Sequence, residues 1–334
     1  MIYPFLKHVL FCLQPETAHA VTLKSLRLLE KIKLISFIHS PVLAPKNVMG
    51  LHFSSPVGLG AGLDKNGDYI EALAALGFGF IEVGTVTPKA QTGNPQPRLF
   101  RLPEQEALIN RMGFNNKGVD YLVKQLRKTA FKGILGVNIG KNKDTPIEHA
   151  LDDYLYGFNR VLPFASYVTI NISSPNTEHL RQLQHADLLQ NLLQYLKKAQ
   201  NTFFQTHNKY VPLVVKIAPD LSSEQVIDMA NIFLSEKIDG IIATNTTLSR
   251  EGVENYLLAK ELGGLSGKPL FSRSTHILKQ FHQILGNTIP IIASGGILSV
   301  EDAHEKIKAG ASLLQIYTGF IYKGPALIRQ LILY

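Results

Sequence analysis

Residues 167–176 read YVTINISSPN, an apolar run that turns polar from its fifth residue onward. The opening YVTI is rich in β-branched and aromatic side chains and predicts the end of a buried strand. Two amides and two hydroxyls follow at once, in Asn171, Ser173, Ser174 and Asn176. A turn alone would explain such a cluster, because Asn, Ser and Pro supply local hydrogen bonds and a fixed φ. The rest of the chain favours a different interpretation.

Seven other β-rich apolar runs of similar length occur in the chain. In order, the eight runs are VGLGAGL ending at Leu63, FIEVGTV ending at Val86, ILGVNIG ending at Gly140, YVTINIS ending at Ser173, PLVVKIA ending at Ala218, GIIATNT ending at Thr246, PIIASGG ending at Gly296 and LLQIYTG ending at Gly319. The segments between them are long enough for helices. Strands that alternate with helices predict a parallel sheet, and eight such units predict a closed (β/α)8 TIM barrel of the α/β class.

Each run turns polar at its carboxyl end. In an α/β barrel these ends share one rim, where active sites are built. We therefore interpret YVTINISSPN as one wall of a polar ring rather than as an isolated turn. The ring is expected to contain Asp64, Lys65, Gly84, Thr85, Asn138, Asn171, Ser173, Ser174, Lys216, Thr244, Asn245, Gly295, Gly296, Tyr317 and Thr318.

The chemistry of this ring indicates an anionic, planar ligand. Lys65 and Lys216 end separate runs without nearby matched carboxylates, which favours recognition of an anion or an electron-rich ring over two solvated lysines. The amides would offer a planar ligand many donors and acceptors; they are Asn110, Asn138, Asn171, Asn176 and Asn245. Glycines after the last two runs, in ASGGI and TGF, are typical of the phosphate site of such barrels. A tight turn would be a sufficient reason for either glycine loop alone, but it is a weaker explanation for the presence of both loops.

Composition limits the remaining possibilities. With 334 residues, 45% hydrophobic and 18% charged, the chain has ordinary globular composition and length for one large domain or two smaller ones. The single cysteine, Cys12, excludes an internal disulfide, a cysteine-held iron–sulfur cluster and a zinc ribbon, and it fits a reducing, cytoplasmic setting. The 11 histidines are scattered, so we predict no metal site.

The formal charge of +8 is concentrated near the N-terminus. Up to Lys46 there are six basic and two acidic side chains, a net +4 that is half of the excess. No nucleic-acid-binding motif accompanies this charge, so we expect no nucleic-acid partner. A basic helical segment with apolar neighbours is instead typical of a membrane-surface element.

The N-terminal segment predicts an amphipathic helical hairpin. Pro15 separates two apolar stretches and is placed to begin the second helix at its first turn. Neither stretch reaches the roughly 20 apolar residues of a membrane span. AHA at residues 18–20 resembles a signal cleavage site, but Lys7 interrupts the apolar region that such a signal needs. The hairpin could dock on its own domain or bind a membrane surface, and its few polar positions among residues 5–11 favour the membrane.

The domain organisation follows from a proline-rich linker. SPVLAPKN, from Ser40 to Asn47, has two prolines and is typical of a connection. We expect the helical hairpin at residues 1–39, the linker at 40–50 and the catalytic barrel at 51–334.

Many short motifs connect the chain with a known family. In order, it contains GLDKNG, EVGTVTP, PRLFRL, INRMGFNN, GVNIGKNK, NISSPNT, VKIAPDL, ATNTT, GGLSGKPL, ASGGI and QIYTGFIYKGP. In order and spacing these resemble the class 2, quinone-dependent dihydroorotate dehydrogenases, from about Tyr3 to about Pro325. The likeness includes the N-terminal PETAHAVT, a type of segment that the soluble class lacks.

The resemblance implies an FMN enzyme of pyrimidine (UMP) biosynthesis that oxidises dihydroorotate to orotate and passes the electrons to a membrane quinone. It implies that Ser174 is the base that removes the C5 proton while a hydride moves from C6 to the flavin N5. A serine is a weak base at its free pKa, so geometry, desolvation and a proton relay near Thr177 and Phe114 must assist it. The soluble class has cysteine at this position, whereas Cys12 is the only cysteine here.

The resemblance also implies three sets of binding residues. The substrate set is Lys65, Asn110, Arg111, Met112, Gly113, Phe114, Asn171, Asn176, Asn245 and Thr246. The cofactor set is Ala61, Gly62, Leu63, Asp64, Lys65, Thr85, Asn138, Asn171, Lys216, Thr244, Gly267, Gly296, Tyr317 and Thr318. Within it, Lys216 would stabilise negative charge on the reduced isoalloxazine ring. The quinone path would be lined by His19, Arg101 and Tyr317.

Location and assembly are expectations of the same kind. The resemblance implies a monomer, and the lack of a transit peptide or spanning helix suggests a peripheral protein on the cytoplasmic face of a bacterial inner membrane. One alternative is an FMN barrel oxidoreductase with a soluble acceptor such as fumarate or NAD, whose turnover would survive removal of residues 1–45. Another is a non-catalytic phosphate-binding barrel held at the membrane, which would purify colourless rather than yellow.

Overall fold

A computed structural model describes residues 2–35 and 43–333. The strands are β1 Lys46–Val48, β2 Leu51–Phe53, β3 Val57–Leu59, β4 Phe80–Val86, β5 Leu99–Leu102, β6 Ala107–Asn110, β7 Ile134–Ile139, β8 Tyr167–Asn171, β9 Leu213–Ile217, β10 Gly240–Ala243, β11 Gly264–Gly267, β12 Ile291–Ser294 and β13 Ala311–Ile316. The α-helices of these residues are α1 Ile2–Phe11, α2 Pro15–Lys31, α3 Ile70–Ala74, α4 Val119–Leu126, α5 Ala150–Val161, α6 Ala186–His207, α7 Ser223–Ser235, α8 Phe271–Leu285, α9 Val300–Lys308, α10 Thr318–Lys323 and α11 Pro325–Ile332.

Eight parallel strands close into a barrel in the order β3, β4, β7, β8, β9, β10, β12, β13 and back to β3. Each of the eight predicted runs overlaps one barrel strand, so the predicted (β/α)8 fold is confirmed. The register sets the rim: Asn171 at the end of β8 pairs with Lys216 in β9. Because the strands are parallel, their polar carboxyl ends meet at one end of the barrel, as the sequence predicts.

The amino end of the barrel is filled with apolar side chains. The β1–β2 hairpin contributes Val48 and Phe53 to a buried cluster with Phe80 and Tyr167, which begin β4 and β8. The Phe53 and Phe80 rings meet edge to face, with centroids 5.1 Å apart. Burial of each such large side chain stabilises the fold by about 1.5–3 kcal/mol. This end is therefore closed, and a binding site can open only at the carboxyl rim.

A three-stranded antiparallel sheet, in the order β11, β6, β5, adds to the barrel and was not predicted. Asn110, the last residue of β6, pairs with Leu99 on one side and Gly264 on the other. The sheet joins the insertion after β4 to the insertion after β10. It thereby carries Asn110 and Gly267 to the rim although neither belongs to a barrel strand.

The N-terminal helices α1 and α2 form the predicted hairpin, and Pro15 begins α2. One side of the hairpin contacts the barrel: Tyr3 OH donates to Ile321 O at 2.5 Å, and Leu23 is buried in the core. The other side exposes apolar groups, with Phe5 72% and Leu28 62% accessible. The hairpin thus both docks on its own domain and presents an apolar surface.

The boundary between hairpin and barrel is described in part. The predicted linker, residues 40–50, and the end of the predicted hairpin overlap residues 36–42, which lie outside the described residues. From Lys46 the chain is already in β1, which pairs with β2. Within residues 2–35 and 43–333, no helix is both long enough and apolar enough to cross a membrane.

Candidate active site

A cavity of about 420 Å³ lies between the hairpin and the carboxyl rim of the barrel. Its outer part is lined by the two helices, through residues such as Leu10, Phe11 and His19, and its inner part reaches Lys216 and Asn171. The surface of the hairpin and the polar ring of the barrel therefore belong to one continuous space. The family resemblance implies such a connection, because it places Tyr317 in both the cofactor set and the quinone path.

The floor of the cavity is a hydrogen-bonded network of buried amides and hydroxyls. Thr85 Oγ1 donates to Asn138 Oδ1 at 2.6 Å, and Asn171 Nδ2 contacts both of these oxygens, at 2.9 and 3.2 Å. Asn245 Nδ2 donates in turn to Asn171 Oδ1 at 3.3 Å and to Ser173 Oγ at 3.0 Å. The side chains are held in place by one another, which pre-orients the amides for a ligand.

Glu82 supports this network from inside the barrel and was missed in the sequence analysis. Its Oε1 accepts from Asn138 Nδ2 at 2.8 Å, and its Oε2 accepts from Tyr167 OH, Thr169 Oγ1 and Gln315 Nε2 at 2.9, 3.1 and 2.8 Å. A carboxylate that is 1% exposed needs such donors, because an unpaired buried charge is very costly. The signal was available: Glu82 interrupts the otherwise apolar start of FIEVGTV.

Ser174 lies on the loop after β8 and lines the cavity at 5% exposure. Its Oγ accepts a hydrogen bond from the backbone N–H of Asn176 at 3.2 Å. Asn176 Nδ2 also donates to Asn110 Oδ1 at 3.3 Å, so the loop contacts the added sheet. Two buried hydroxyl oxygens, Thr177 Oγ1 and Thr246 Oγ1, have no hydrogen-bond partner among the described residues. Such groups are available to a bound ligand or a proton relay.

Both rim lysines are desolvated. Lys65 Nζ donates to Gly62 O at 2.9 Å, and burial, reinforced by the charge of Arg98, lowers the pKa of Lys65 to about 8. Burial also lowers the pKa of Lys216, and the charge of Glu82 partly offsets this shift by acting to raise the pKa. Within the described chain the Nζ of Lys216 has neither a hydrogen bond nor an ion pair, although the residue lines the cavity. A buried amine without a partner is suited to bind an anion or an electron-rich group.

The two glycine loops form a backbone cradle that packs too closely on its neighbours to accept side chains. Gly296 has φ +77°, and a Cβ there would lie 2.4 Å from Phe271 Cα; at Gly319 it would lie 2.1 Å from Ile297 O. Both loops line the cavity, together with Thr318, whose Oγ1 lies 2.8 Å from Ser266 Oγ. Exposed backbone at such a cradle can bind a phosphate. With the unpartnered Lys216 and Thr246, this donor set fits a phosphorylated ring cofactor.

The predicted quinone residues lie where the cavity meets the hairpin. His19 Nε2 lies 2.8 Å from Leu63 O, and burial, followed by the charge of Lys65, lowers the pKa of His19 to about 4. Arg101 Nη1 donates to Phe11 O and Leu13 O at 3.2 and 2.7 Å, at the end of α1. Burial raises the pKa of Tyr317 to about 12. His19 and Tyr317 are therefore neutral at pH 7, and Arg101 is the cationic member of the three.

Of Ser174 and the predicted substrate, cofactor and quinone residues, all but three line the cavity as far as it is described. Asn138 lies beneath it and orients Thr85. Asp64 accepts backbone N–H groups of the following loop, at 2.7 Å from Tyr69, and so shapes the chain after β3. Arg111 turns away from the cavity: its Nη1 donates to Glu261 Oε2 at 2.6 Å. Gly84 and Ser173 of the predicted ring and Thr177 of the predicted relay also lie outside the lining of the cavity.

Arg98 is a further residue that the sequence analysis missed. Its Nε and Nη2 donate to the two carboxylate oxygens of Glu16, each at 3.0 Å. Its Nη1 donates to Thr92 O and Asn94 O at 2.7 and 2.8 Å. Arg98 thereby ties α2 to the loop before β5. The partners are 82 residues apart in the sequence, so no local pattern could indicate the pair.

Comparison with known proteins agrees with this site. The sequence model described as dihydroorotate dehydrogenase matches residues 43–333. A protein of Chromobacterium violaceum named dihydroorotate dehydrogenase (quinone) is 57% identical over 331 residues, which are 99% of this chain and 96% of that protein. A protein of the same name from Cellvibrio japonicus is 55% identical, over 98% of this chain and 96% of that protein.

Solved structures agree as well. The crystal structure of DHODH from Eimeria tenella in complex with ferulenol has a TM-score of 0.86 and 39% identity, covering 95% of this chain and 89% of that chain. The ligand-free form of that protein gives a TM-score of 0.84 over 95% of this chain and 92% of that chain. Sequence and structure together show that this chain belongs to the dihydroorotate dehydrogenase family.

Proposed function

We propose that this chain oxidises dihydroorotate to orotate and passes the electrons to a quinone, as a step of pyrimidine biosynthesis. The observation that carries the proposal is the single cavity that joins Ser174, Lys65 and the rim amides to the N-terminal hairpin. A substrate site and an acceptor path in one space are what an enzyme with a lipid-dissolved acceptor requires. The names of the curated relatives, dihydroorotate dehydrogenase (quinone), support the same activity.

The substrate is held by charge and by amides. The Lys65 ammonium pairs with the carboxylate of dihydroorotate, and Asn110, Asn176 and Asn245 exchange hydrogen bonds with the two ring amides. Thr246, whose buried Oγ1 has no partner among the described residues, gains one from the substrate. Charged and amide groups that are fixed beforehand lower the entropy lost on binding.

Ser174 is the base that accepts the C5 proton. Its Oγ is oriented by the Asn176 N–H and is almost completely desolvated, so its lone pairs are directed rather than solvated. As the serine accepts this proton it must release its own, and Thr177 Oγ1, buried and without a partner in the described chain, is available for that transfer. Geometry and relay together compensate for the weak basicity of a serine.

Members of this family are flavoproteins, and we propose FMN as the cofactor. Bound in the cavity, FMN supplies the hydride acceptor for C6 and the electron donor for the quinone. Lys216, Asn171 and Thr85 would hold the ring end from the floor of the cavity. The loops at Gly296 and Thr318, which also line the cavity, would hold the phosphate through backbone N–H groups.

Acceptor specificity tests the reaction. Purified protein is supplied with dihydroorotate and, in separate assays, a ubiquinone analogue, fumarate or NAD. We expect orotate to form rapidly with the quinone analogue and at background rates with the other two. Rapid turnover with fumarate or NAD but not with the quinone would contradict the proposed acceptor, and a colourless preparation would contradict a bound flavin.

We also propose that the protein is a monomer bound peripherally to the cytoplasmic face of the bacterial inner membrane through its hairpin. The apolar side of the hairpin supports this, since Phe5 and Val9 are 72% and 52% exposed. Burial of such a face in lipid is favourable, and nearby basic residues attract anionic headgroups. Cosedimentation with lipid vesicles should be weakened in Phe5→Ser/Val9→Ser and unchanged in Leu257→Ser, which removes an exposed apolar group of the barrel. Equal binding of all three proteins would contradict the hairpin as the anchor.

A further inference from the structure

Lys306 is a fully buried lysine that the proposed reaction does not use. It lies in α9, and its side chain is 0% exposed. Its Nζ donates to Ser274 Oγ at 2.6 Å and approaches Phe271 O at 3.4 Å, both in the first turn of α8. No ion pair of Lys306 occurs within residues 2–35 and 43–333. The amine therefore contacts one hydroxyl, one carbonyl and the face of the Phe271 ring, whose centroid is 5.0 Å away, but no carboxylate among these residues.

Asp302 is the carboxylate whose charge influences Lys306 without contacting it, and its oxygen is hydrogen-bonded to other groups. Its Oδ2 accepts the backbone N–H groups of Leu298 and Ser299 at 2.8 and 2.9 Å, and it forms the capping box that begins α9. Burial lowers the pKa of Lys306 to about 7, and Asp302 acts only to raise it. A buried cation without a contacting counter-charge is costly, and a neutral side chain of similar length would fill this space at lower cost.

The position of Lys306 relative to the cavity suggests what compensates for that cost. Ser274 Oγ, which accepts from Lys306, also lies 3.0 Å from Gly295 O. Gly296 packs directly on Phe271, since a Cβ at Gly296 would lie 2.4 Å from Phe271 Cα. Two hydrogen bonds, through Ser274, thus connect Lys306 with the glycine loop, and that loop lines the cavity.

We propose that Lys306 is the buried counter-charge for the phosphate of the cofactor and acts on it through Ser274 and the Gly295–Gly296 loop. The inference rests on the proposed FMN site. Lys306 does not line the described cavity, so it is a positioning residue rather than a ligand. Its positive charge favours a dianion on the far side of the loop, and its hydrogen bond fixes the Ser274 hydroxyl that holds the loop.

The test compares two ligands that differ only in the phosphate. Full-length protein is stripped of flavin, and the dissociation constants of FMN and riboflavin are measured by fluorescence quenching for wild type and Lys306→Met. We expect FMN affinity to fall at least tenfold and riboflavin affinity to change less than twofold. The matched control is Lys308→Met, on the same helix but 74% exposed and paired with Glu305, which should change neither affinity.

Thermal unfolding of the same flavin-free proteins separates electrostatics from packing. We expect Lys306→Met and Lys306→Gln to melt at or above the temperature of the wild type, because each removes an uncompensated buried charge. Equal loss of FMN and riboflavin affinity, an unchanged ratio of the two, or a lower melting temperature in both variants would overturn the proposal. If the wild type itself binds FMN no better than riboflavin, the proposed cofactor fails, and the role of Lys306 fails with it.

Discussion

Replacement of Glu16 by Gln should loosen the hairpin from the barrel. Glu16 is the only residue of α2 that receives two charge-assisted hydrogen bonds from the described part of the barrel, both from Arg98 at 3.0 Å. The Arg98 side chain is 9% exposed and that of Glu16 is 26% exposed. An amide can accept only one of the two N–H groups and turns its own NH2 towards the other. Arg98 keeps its bonds to Thr92 O and Asn94 O, so it stays in place with a donor unpaired.

The size of the effect follows from these contacts. A hydrogen bond to a charged group contributes about 1.5–3 kcal/mol, and the partial exposure of Glu16 places this one near the lower end. We expect opening of α2 to become easier by about 2 kcal/mol, which is roughly a 30-fold rise in the open population. The variant should therefore lose turnover with a ubiquinone analogue while its flavin is still reduced by dihydroorotate.

Amide hydrogen exchange of α2 measures the opening directly. The matched control is Glu30→Gln on the same helix, since the Glu30 carboxylate has no hydrogen bond or ion pair within the described residues. Exchange of α2 should accelerate about 30-fold in Glu16→Gln, as estimated from the contacts, and stay at the wild-type rate in the control. Unchanged exchange in Glu16→Gln would show that the ion pair does not hold the hairpin, which refutes the reasoning.

The pH dependence of the same exchange gives an independent check. Burial acts to raise the pKa of Glu16, but the hydrogen bonds and charge of Arg98 outweigh it and lower the pKa below 4.5. A carboxyl whose pKa is lower in the folded state contributes stability above its unfolded pKa and loses it as the pH falls through the folded value. Protection of α2 in the wild type should therefore decline at acidic pH below 4.5, and the decline should be absent in Glu16→Gln.

Two further predictions concern the rim. Burial and the charge of Arg98 lower the pKa of Lys65 to about 8, so kcat/KM for dihydroorotate should fall as the pH rises through that value. Lys65→Met should abolish this pH dependence together with most of the affinity for dihydroorotate. A flat pH profile in the wild type would contradict the prediction. Gly296→Ala should destabilise the protein by about 2–4 kcal/mol and reduce its flavin content, because the backbone has φ +77° and the new Cβ would lie 2.4 Å from Phe271 Cα. The control for thermal unfolding is Gly50→Ala, which has φ +72° but no atom within 4 Å, so equal losses in the two variants would rule out the clash.

The barrel could be predicted because its signals are local and repeated. Each strand is a short apolar run with a polar carboxyl end, as in Tyr167–Asn171, and a helical segment follows it. The antiparallel sheet of β5, β6 and β11 could not be predicted in this way. Its strands have only four residues each, of mixed polarity, and Asn110 pairs with Gly264 from a distant part of the chain. Such a pairing is decided by tertiary packing, not by local preference.

The residues of the site could be predicted, but the directions in which their side chains point could not. Asn110 lines the cavity, whereas Arg111 beside it faces Glu261, and adjacent letters in a motif do not reveal that difference. Glu82 and Lys306 were not predicted as site residues because they lie behind the residues that face the cavity. Glu82 is a charge inside an apolar run, which is a signal that sequence reasoning can use. Lys306 lies among other charged residues of α9, so the sequence does not distinguish it from an exposed lysine.

The central claim is that Ser174 removes a proton from dihydroorotate, and the reductive half-reaction tests it most directly. Purified protein is mixed anaerobically with dihydroorotate and the flavin absorbance is followed in the wild type, in Ser174→Ala and in Ser235→Ala, a control on the exposed end of α7. We predict rapid bleaching in the wild type and the control, a rate about 10²–10⁴-fold lower in Ser174→Ala, and recovery of the colour with a ubiquinone analogue. Bleaching of Ser174→Ala at the wild-type rate would contradict the assignment of the base, and a flavin that dihydroorotate does not bleach in any variant would contradict the substrate.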